Sequence, residues 1–256
     1  MISGVFSAGD ASKLVGRLAF ANQIIFKRVG RAMLRPLYAQ QHKPLKNGRV
    51  GKLLELSLKW WHAVLSMELR ETIPLKRCLC EVVELFGDAR GYPPRVASVL
   101  VRDNVVQYSD WQPDEQTMNA FCPRRDQQIM GQELLAVVFG MSTFLDELRG
   151  CCVRVWIDNA AGEAALEKGA AASSDHNALI HGIWLLAARH GFTIWVERVA
   201  SEFNIADEPS REVYTGMAAC GARWKEPILR SEFRNPSGWL QLLPLQTKTA
   251  VTGSVF

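Results

Sequence analysis

No apolar run in this sequence approaches the roughly 18 residues needed to span a bilayer, and its N-terminus lacks the long apolar core of a signal peptide. A membrane partner is therefore not expected. The six cysteines never form a CxxC pair, which fits reduced thiols in an intracellular protein. On this reading the protein belongs in the cytoplasm or the nucleus. There is no Tyr-x-Asp-Asp stretch, so no polymerase palm is expected in these residues and the chain alone should not synthesise DNA. Nor is there an internal repeat. What remains, 256 residues that are 48% hydrophobic and 22% charged, is the composition of a folded globular chain with room for one or two domains.

The net charge of +4 conceals two halves of opposite sign. Residues 1–80 carry 14 Lys/Arg against 4 Asp/Glu, whereas residues 81–211 carry 11 against 19. A basic segment joined to an acidic one predicts two modules with different partners. The basic part suits a polyanion such as nucleic acid. The acidic part suits hard metal cations, which prefer carboxylate oxygen.

The basic part reads as helical. In KLVGRLAFANQIIFKRVGRAMLRPLY, apolar residues recur at helical spacing through Leu14, Leu18, Ala21, Ile25, Val29, Met33 and Leu37. Lys13, Arg17, Lys27, Arg28, Arg31 and Arg35 decorate the rest. After a breaker around Pro44 and Asn47-Gly48, a second amphipathic helix runs through Leu53, Leu56, Trp60, Val64 and Met67. From about Arg77 the period changes. CEVVELFGDA, RVASVLVR and NVVQYSDW read as a three-stranded antiparallel meander, the last two joined at Asp103-Asn104. A long helix follows at about 127–149, then the alternating strand CVRVWID, helices near 160–168 and 175–190, the strand FTIWVERV, and a short helix opening at Asp207. The order βββαβαβα predicts an α/β fold with a five-stranded mixed sheet and helices on both faces, preceded by a small helical module. The expected boundaries are 1–76 for the basic module, 77–217 for the α/β domain, and 218–256 for a tail that is partly disordered.

Four acids stand out by position. Asp88 ends the first strand and Asp158 the fourth. Glu133 shares a helical face with Met130, Val137, Met141 and Phe144, where a charged carboxylate is costly unless something satisfies it. Asp207 precedes Glu208 and Pro209, an ordinary way to start a helix with the carboxylate accepting backbone N–H groups. Each has a plain explanation alone: turn, cap, or pairing of Glu133 with Arg124 or Arg125. Side by side, however, four carboxylates cannot all stay ionised without added positive charge, and two metal ions about 4 Å apart are the usual device for in-line phosphodiester hydrolysis.

FGDARGYPPRVASVLV, QELLAVVFGMSTFLDELRGCCVRVWIDNAAGEAAL and SEFNIADEPSR together resemble the RNase H domain of retrotransposon polyproteins, of the DIRS-like or gypsy-like kind. The motifs run in order: Glu133-Leu134 with Ala136, then Asp158-Asn159, then Asn204, Ala206, Asp207, Ser210 and Arg211. The basic module is similar, more softly, to the thumb and connection region that precedes RNase H in reverse transcriptases. The resemblance implies an RNase H-like fold and endonucleolytic cleavage of the RNA strand of RNA/DNA hybrids, with 2′-hydroxyl contacts selecting the strand. It implies two Mg²⁺ ions, with Mn²⁺ as a substitute, held by Asp88, Glu133, Asp158 and Asp207. Asp88 would bridge them, Glu133 and Asp158 would hold the ion nearer the leaving oxygen, and Asp207 the ion that positions the water. Arg28, Arg31, Arg35, Arg90, Asn159, Arg198 and Arg211 are the expected nucleic-acid contacts, with Asn159 and Asn204 also supporting the carboxylates. The polymerase part of the same polyprotein is an expected partner.

Two departures bear on turnover. Relatives carry a small Gly-rich turn after the first Asp, where this chain has Arg90 to Arg95; and they carry a histidine where this chain has Arg198. Two alternatives follow. One is a four-carboxylate exonuclease, disfavoured because Asp88-Ala89-Arg90 lacks that class's Asp-x-Glu pair. The other is a catalytically silent domain that binds or braces nucleic acid, as in a decayed element. His176 and His181 are read as surface or packing residues.

Overall fold

The computed structural model describes residues 5–23, 28–66, 80–125 and 128–229. Three amphipathic helices come first: α1 (Ala8–Ala21), α2 (Arg31–His42) and α3 (Lys52–Leu65). Ser7 caps α1 by accepting from the backbone N–H of Asp10 at 3.0 Å. The helix expected to run unbroken from 13 to 38 is thus divided. Gly30 takes φ 91°, and a Cβ there would lie 2.9 Å from the Trp61 ring, so only glycine lets the turn approach the two tryptophans. Residues 24–27 lie outside the described residues, as do 67–79.

The sheet begins with β1 (Val82–Arg90), β2 (Arg95–Arg102) and β3 (Val105–Trp111). They form the expected antiparallel meander, and Asp103 and Asn104 both take positive φ (48° and 63°), as a two-residue primed turn requires. Next come α4 (Glu115–Asn119), α5 (Ile129–Thr143), α6 (Leu145–Leu148), β4 (Cys152–Ile157), α7 (Ala160–Lys168), α8 (Ser174–His190) and β5 (Thr193–Arg198). The chain then forms α9 (Asp207–Ser210), α10 (Thr215–Ala219) and β6 (Arg223–Trp224). In space the strands run β5-β4-β1-β2-β3-β6, with β4 parallel to both β1 and β5.

This is an α/β architecture with a mixed sheet, but among the described residues six strands replace the expected five. The sixth is only two residues long, too short for any periodic signal, and it belongs to the stretch expected as tail. Two further contacts fasten this stretch: Lys225 Nζ reaches Glu147 at 2.6 Å, and the Ile228 N–H donates to Thr143 Oγ1 at 3.2 Å. Residues 230–256 lie outside the described residues.

Helix α5 packs on β1 and β2 and, on its other side, against α8. It approaches the sheet closely because Gly140 has no side chain; a Cβ there would meet Ser98 Oγ at 2.6 Å, and that hydroxyl instead donates to the Ala136 carbonyl. Residues 131–143 are consequently buried on every side, so the helix is a core element and not a half-exposed amphipathic one. It ends at Thr143, short of the expected 149. The opposite face of the sheet carries a smaller cluster, Val99, Ala206 and Met217, beneath α9 and α10.

The basic module is not a separate body. Val15, Leu37 and Trp60 belong to the same apolar cluster as Val137, Leu179 and Ile183. Asn177 Nδ2 donates to the Ala32 carbonyl at 3.0 Å, and Trp60 meets the edge of His181 at 5.3 Å. His176 and His181 are both buried, so the packing role holds and the surface role does not. No helix among the described residues is long and apolar enough to cross a membrane.

Candidate active site

Because β1 and β4 are parallel, their carboxyl ends open at the same edge of the sheet, the usual place for a site in α/β folds. The register pairs Phe86 with Trp156; its continuation brings Asp88 abreast of Asp158, the residue that follows β4.

Asp88 is 5% exposed. It lies on the sheet face opposite α5, and α9 meets it there. Ser210 Oγ donates to Asp88 Oδ2 at 2.5 Å, while Asn204 Nδ2 donates to Asp88 Oδ1 at 3.4 Å and to the Gly87 carbonyl at 3.2 Å. Asp158 is half-buried. Beside it, Asn159 caps α7, its Oδ1 accepting from the N–H groups of Ala161 and Gly162 at 3.0 Å. The same side chain turns its Nδ2 toward Glu133 Oε1 at 3.4 Å.

Glu133 is 6% exposed, and its other oxygen, Oε2, is buried without a hydrogen-bond donor. One expected cation is committed elsewhere, because Arg124 forms a two-pronged pair with Asp175 at 2.6 Å. Asp207 is held differently from the cap that the sequence predicts. The N–H groups such a cap would serve are missing or engaged: Pro209 has none, and the Ser210 N–H donates to the Ala206 carbonyl at 3.1 Å. The Asp207 carboxylate instead accepts from Arg211 Nε at 2.8 and 2.9 Å and from Arg211 Nη2 at 2.8 Å.

Electrostatics tie the four acids together. Burial pushes the Glu133 carboxyl up to about 8, with the charges of Asp158 and Asp88 adding to it and Asn159 opposing. Burial also raises Asp88, to about 6; the Ser210 hydroxyl opposes, Asp158 and Asp207 raise it further, and Arg211 lowers it. Glu133, Asp158, Asp88 and Asp207 therefore form one chain of mutual repulsion, relieved at the Asp207 end by Arg211.

Among the described residues, no three His, Cys, Asp or Glu side chains already stand as a coordination shell. The donor chemistry nonetheless fits a hard divalent cation: four carboxylates with no sulfur or imidazole among them, and one buried oxygen without a donor.

The expected nucleic-acid contacts divide into two sets. Arg28 lies over the Trp184 ring at 4.9 Å, and Arg31 donates to the Lys168 carbonyl at 3.1 Å, so both serve the joint between α2 and the α7–α8 pair. Arg35 is half-buried on α2. Arg90 donates to the Pro93 carbonyl and pairs with Glu212 at 2.9 Å. Arg198 and Arg211, by contrast, are exposed at the rim of the carboxylate cluster, with Arg198 paired in register to Ile157. Sequence reasoning did not anticipate Glu212. At φ 62° it bridges Arg90 and Arg95, and Arg95 also pairs with Asp110. Nothing in local spacing signals a contact between residues that far apart.

No family model matches the chain, and no curated protein matches it.

Proposed function

We propose that the chain is a metal-dependent ribonuclease of the RNase H type, cutting the RNA strand of RNA/DNA hybrids from within. The observation that carries this reading is Glu133: a buried carboxylate with one oxygen lacking a donor and the other accepting from Asn159, the residue that follows Asp158 at the open end of two parallel strands. A merely structural acid at such a place would be paired, as Asp175 is. The α/β architecture with its mixed sheet is compatible with an RNase H-like fold, and the ordered motifs that carry the resemblance fall on the elements described above.

Asp88, Glu133, Asp158 and Asp207 would hold two Mg²⁺ ions. When bound, such ions supply a nucleophile at neutral pH and stabilise charge on the leaving oxygen. The protein's own residues prepare the site. Ser210 and Asn204 fix the rotamer of Asp88, and Asn159 holds Glu133 toward the end of β4. Arg198 and Arg211 present guanidinium donors to backbone phosphates at the rim. Burial of Asp88 and Glu133 themselves keeps water away from their carboxyls, so charge placed there acts strongly.

One observation favours a second reading, a silent domain that braces nucleic acid. Arg211 occupies both oxygens of Asp207, so the fourth acid has a cation of its own. A labelled RNA/DNA hybrid with Mg²⁺, run beside single- and double-stranded controls, separates the two. Hybrid-specific internal cuts that disappear in Asp158→Asn are expected. Tight binding without cleavage by the unaltered protein would favour bracing, and equal cleavage by the variant would overturn the metal assignment.

A further inference from the structure

The Arg211 side chain is 63% exposed, yet three short donor contacts fasten it to Asp207. Its position is not a requirement of packing. Arg211 is four residues along from Asp207, and its guanidinium also feels Asp88 and Asp158. A guanidinium placed there does the electrostatic work of a cation on the outer two acids. The inner acid, Glu133, receives no such relief; when ionised, its counter-charge would come from a metal. The site is therefore neutralised at one end only.

Resting on the reading of these four acids as a cation site, we infer that Arg211 is a built-in competitor for that cation at Asp207, drawn off when a nucleic-acid backbone phosphate takes its guanidinium. Two features on the page support the exchange. Phosphate and carboxylate present the same two-oxygen edge to a guanidinium, so the donors that now grip Asp207 can grip a phosphate without change of geometry. The exposure of Arg211 leaves it a path outward, on the same rim as Arg198, with only the Asp207 contacts to break. Metal loading and nucleic-acid binding then strengthen one another, and by linkage the factor is the same in both directions. Without nucleic acid, Asp207 stays closed and the site is under-loaded. Stray hydrolysis is thereby restrained until a backbone arrives.

Binding of Mn²⁺, followed through the signal of the free ion, tests the competition without any turnover. Arg211→Gln is expected to bind Mn²⁺ about fivefold more tightly than the unaltered protein, the scale of one well-formed exposed ion pair. The difference should vanish when both proteins also carry Asp207→Asn. Equal affinities would overturn the gate while leaving the carboxylate site standing, and no Mn²⁺ binding by either protein would overturn both. The phosphate half has its own readout. Ca²⁺ should strengthen binding of a short labelled hybrid, read by fluorescence anisotropy, by a larger factor in the unaltered protein than in Arg211→Gln. The same factor in both would mean that phosphate does not release the arginine.

Discussion

Two buried carboxylates, Asp175 at the start of α8 and Glu133 near the start of α5, are almost equally hidden from water, at 5% and 6% exposed. Their circumstances are opposite. Burial pushes Asp175 up, but the Arg124 fork and the backbone N–H of Cys122 more than offset it and hold its carboxyl well below the usual range. Glu133 has one long contact from Asn159 and a second oxygen without a donor, and it rises to about 8. Asp175 is an acid built into a structure, with every lone pair spoken for. Glu133 is an acid left waiting for a charge. Burial alone does not distinguish structure from function; the inventory of partners does.

The contrast yields graded expectations. The largest concerns cleavage: Glu133→Gln should lower hybrid cleavage more than about a hundredfold, since removing a ligand costs more than the 10–100-fold seen for supporting residues. Asp175→Asn should leave the per-molecule rate of folded protein nearly intact. Stability should reverse the ranking. Asp175→Ala strands Arg124 and should cost about 3 kcal/mol in urea unfolding, whereas Glu133→Gln should be neutral or stabilise the metal-free protein by about 1 kcal/mol.

Their pH dependences should differ in sign. Glu133 and Asp88 have folded values above their unfolded ones, so the stability they lend is greatest in acid and is lost as pH rises toward about 8. Asp175 is depressed, so its contribution is present at neutral pH and is lost as pH falls below the usual carboxylate range. Urea midpoints across pH check both. Glu133→Gln should flatten the fall between about pH 5 and pH 8, and Asp175→Asn should flatten the acid side. The smallest effect is expected at Asn159→Ala, about 1 kcal/mol from the lost cap of α7, together with a further rise of the Glu133 carboxyl seen by NMR.

Much of this architecture is legible in the sequence. The alternation of Val153, Val155 and Ile157 stops at Asp158, which places that acid at a strand end, and Asp103-Asn104 announces its own turn. The long apolar stripe of α5 marks Glu133 as out of place. What is not legible depends on contacts between distant residues. That Arg124 belongs to Asp175 rather than to Glu133 is settled by the approach of the α4–α5 loop to α8. The Asp207 cap fails because Pro209 has no N–H and the Ser210 N–H already donates to the Ala206 carbonyl, freeing the carboxylate for Arg211. The fusion of the basic module with the α/β core rests on packing between α2 and α8, which the change in charge at residue 80 conceals. A two-residue strand such as β6 exists only because β3 offers an edge.

The central claim is that Glu133 sits in a cation site. A carbon-13 NMR titration of its side-chain carboxyl, with and without Mg²⁺, tests it directly. The account predicts a midpoint near 8 without the ion and a fall of more than one pH unit, about tenfold in proton affinity, when Mg²⁺ is added. A midpoint that does not move with Mg²⁺ would contradict it.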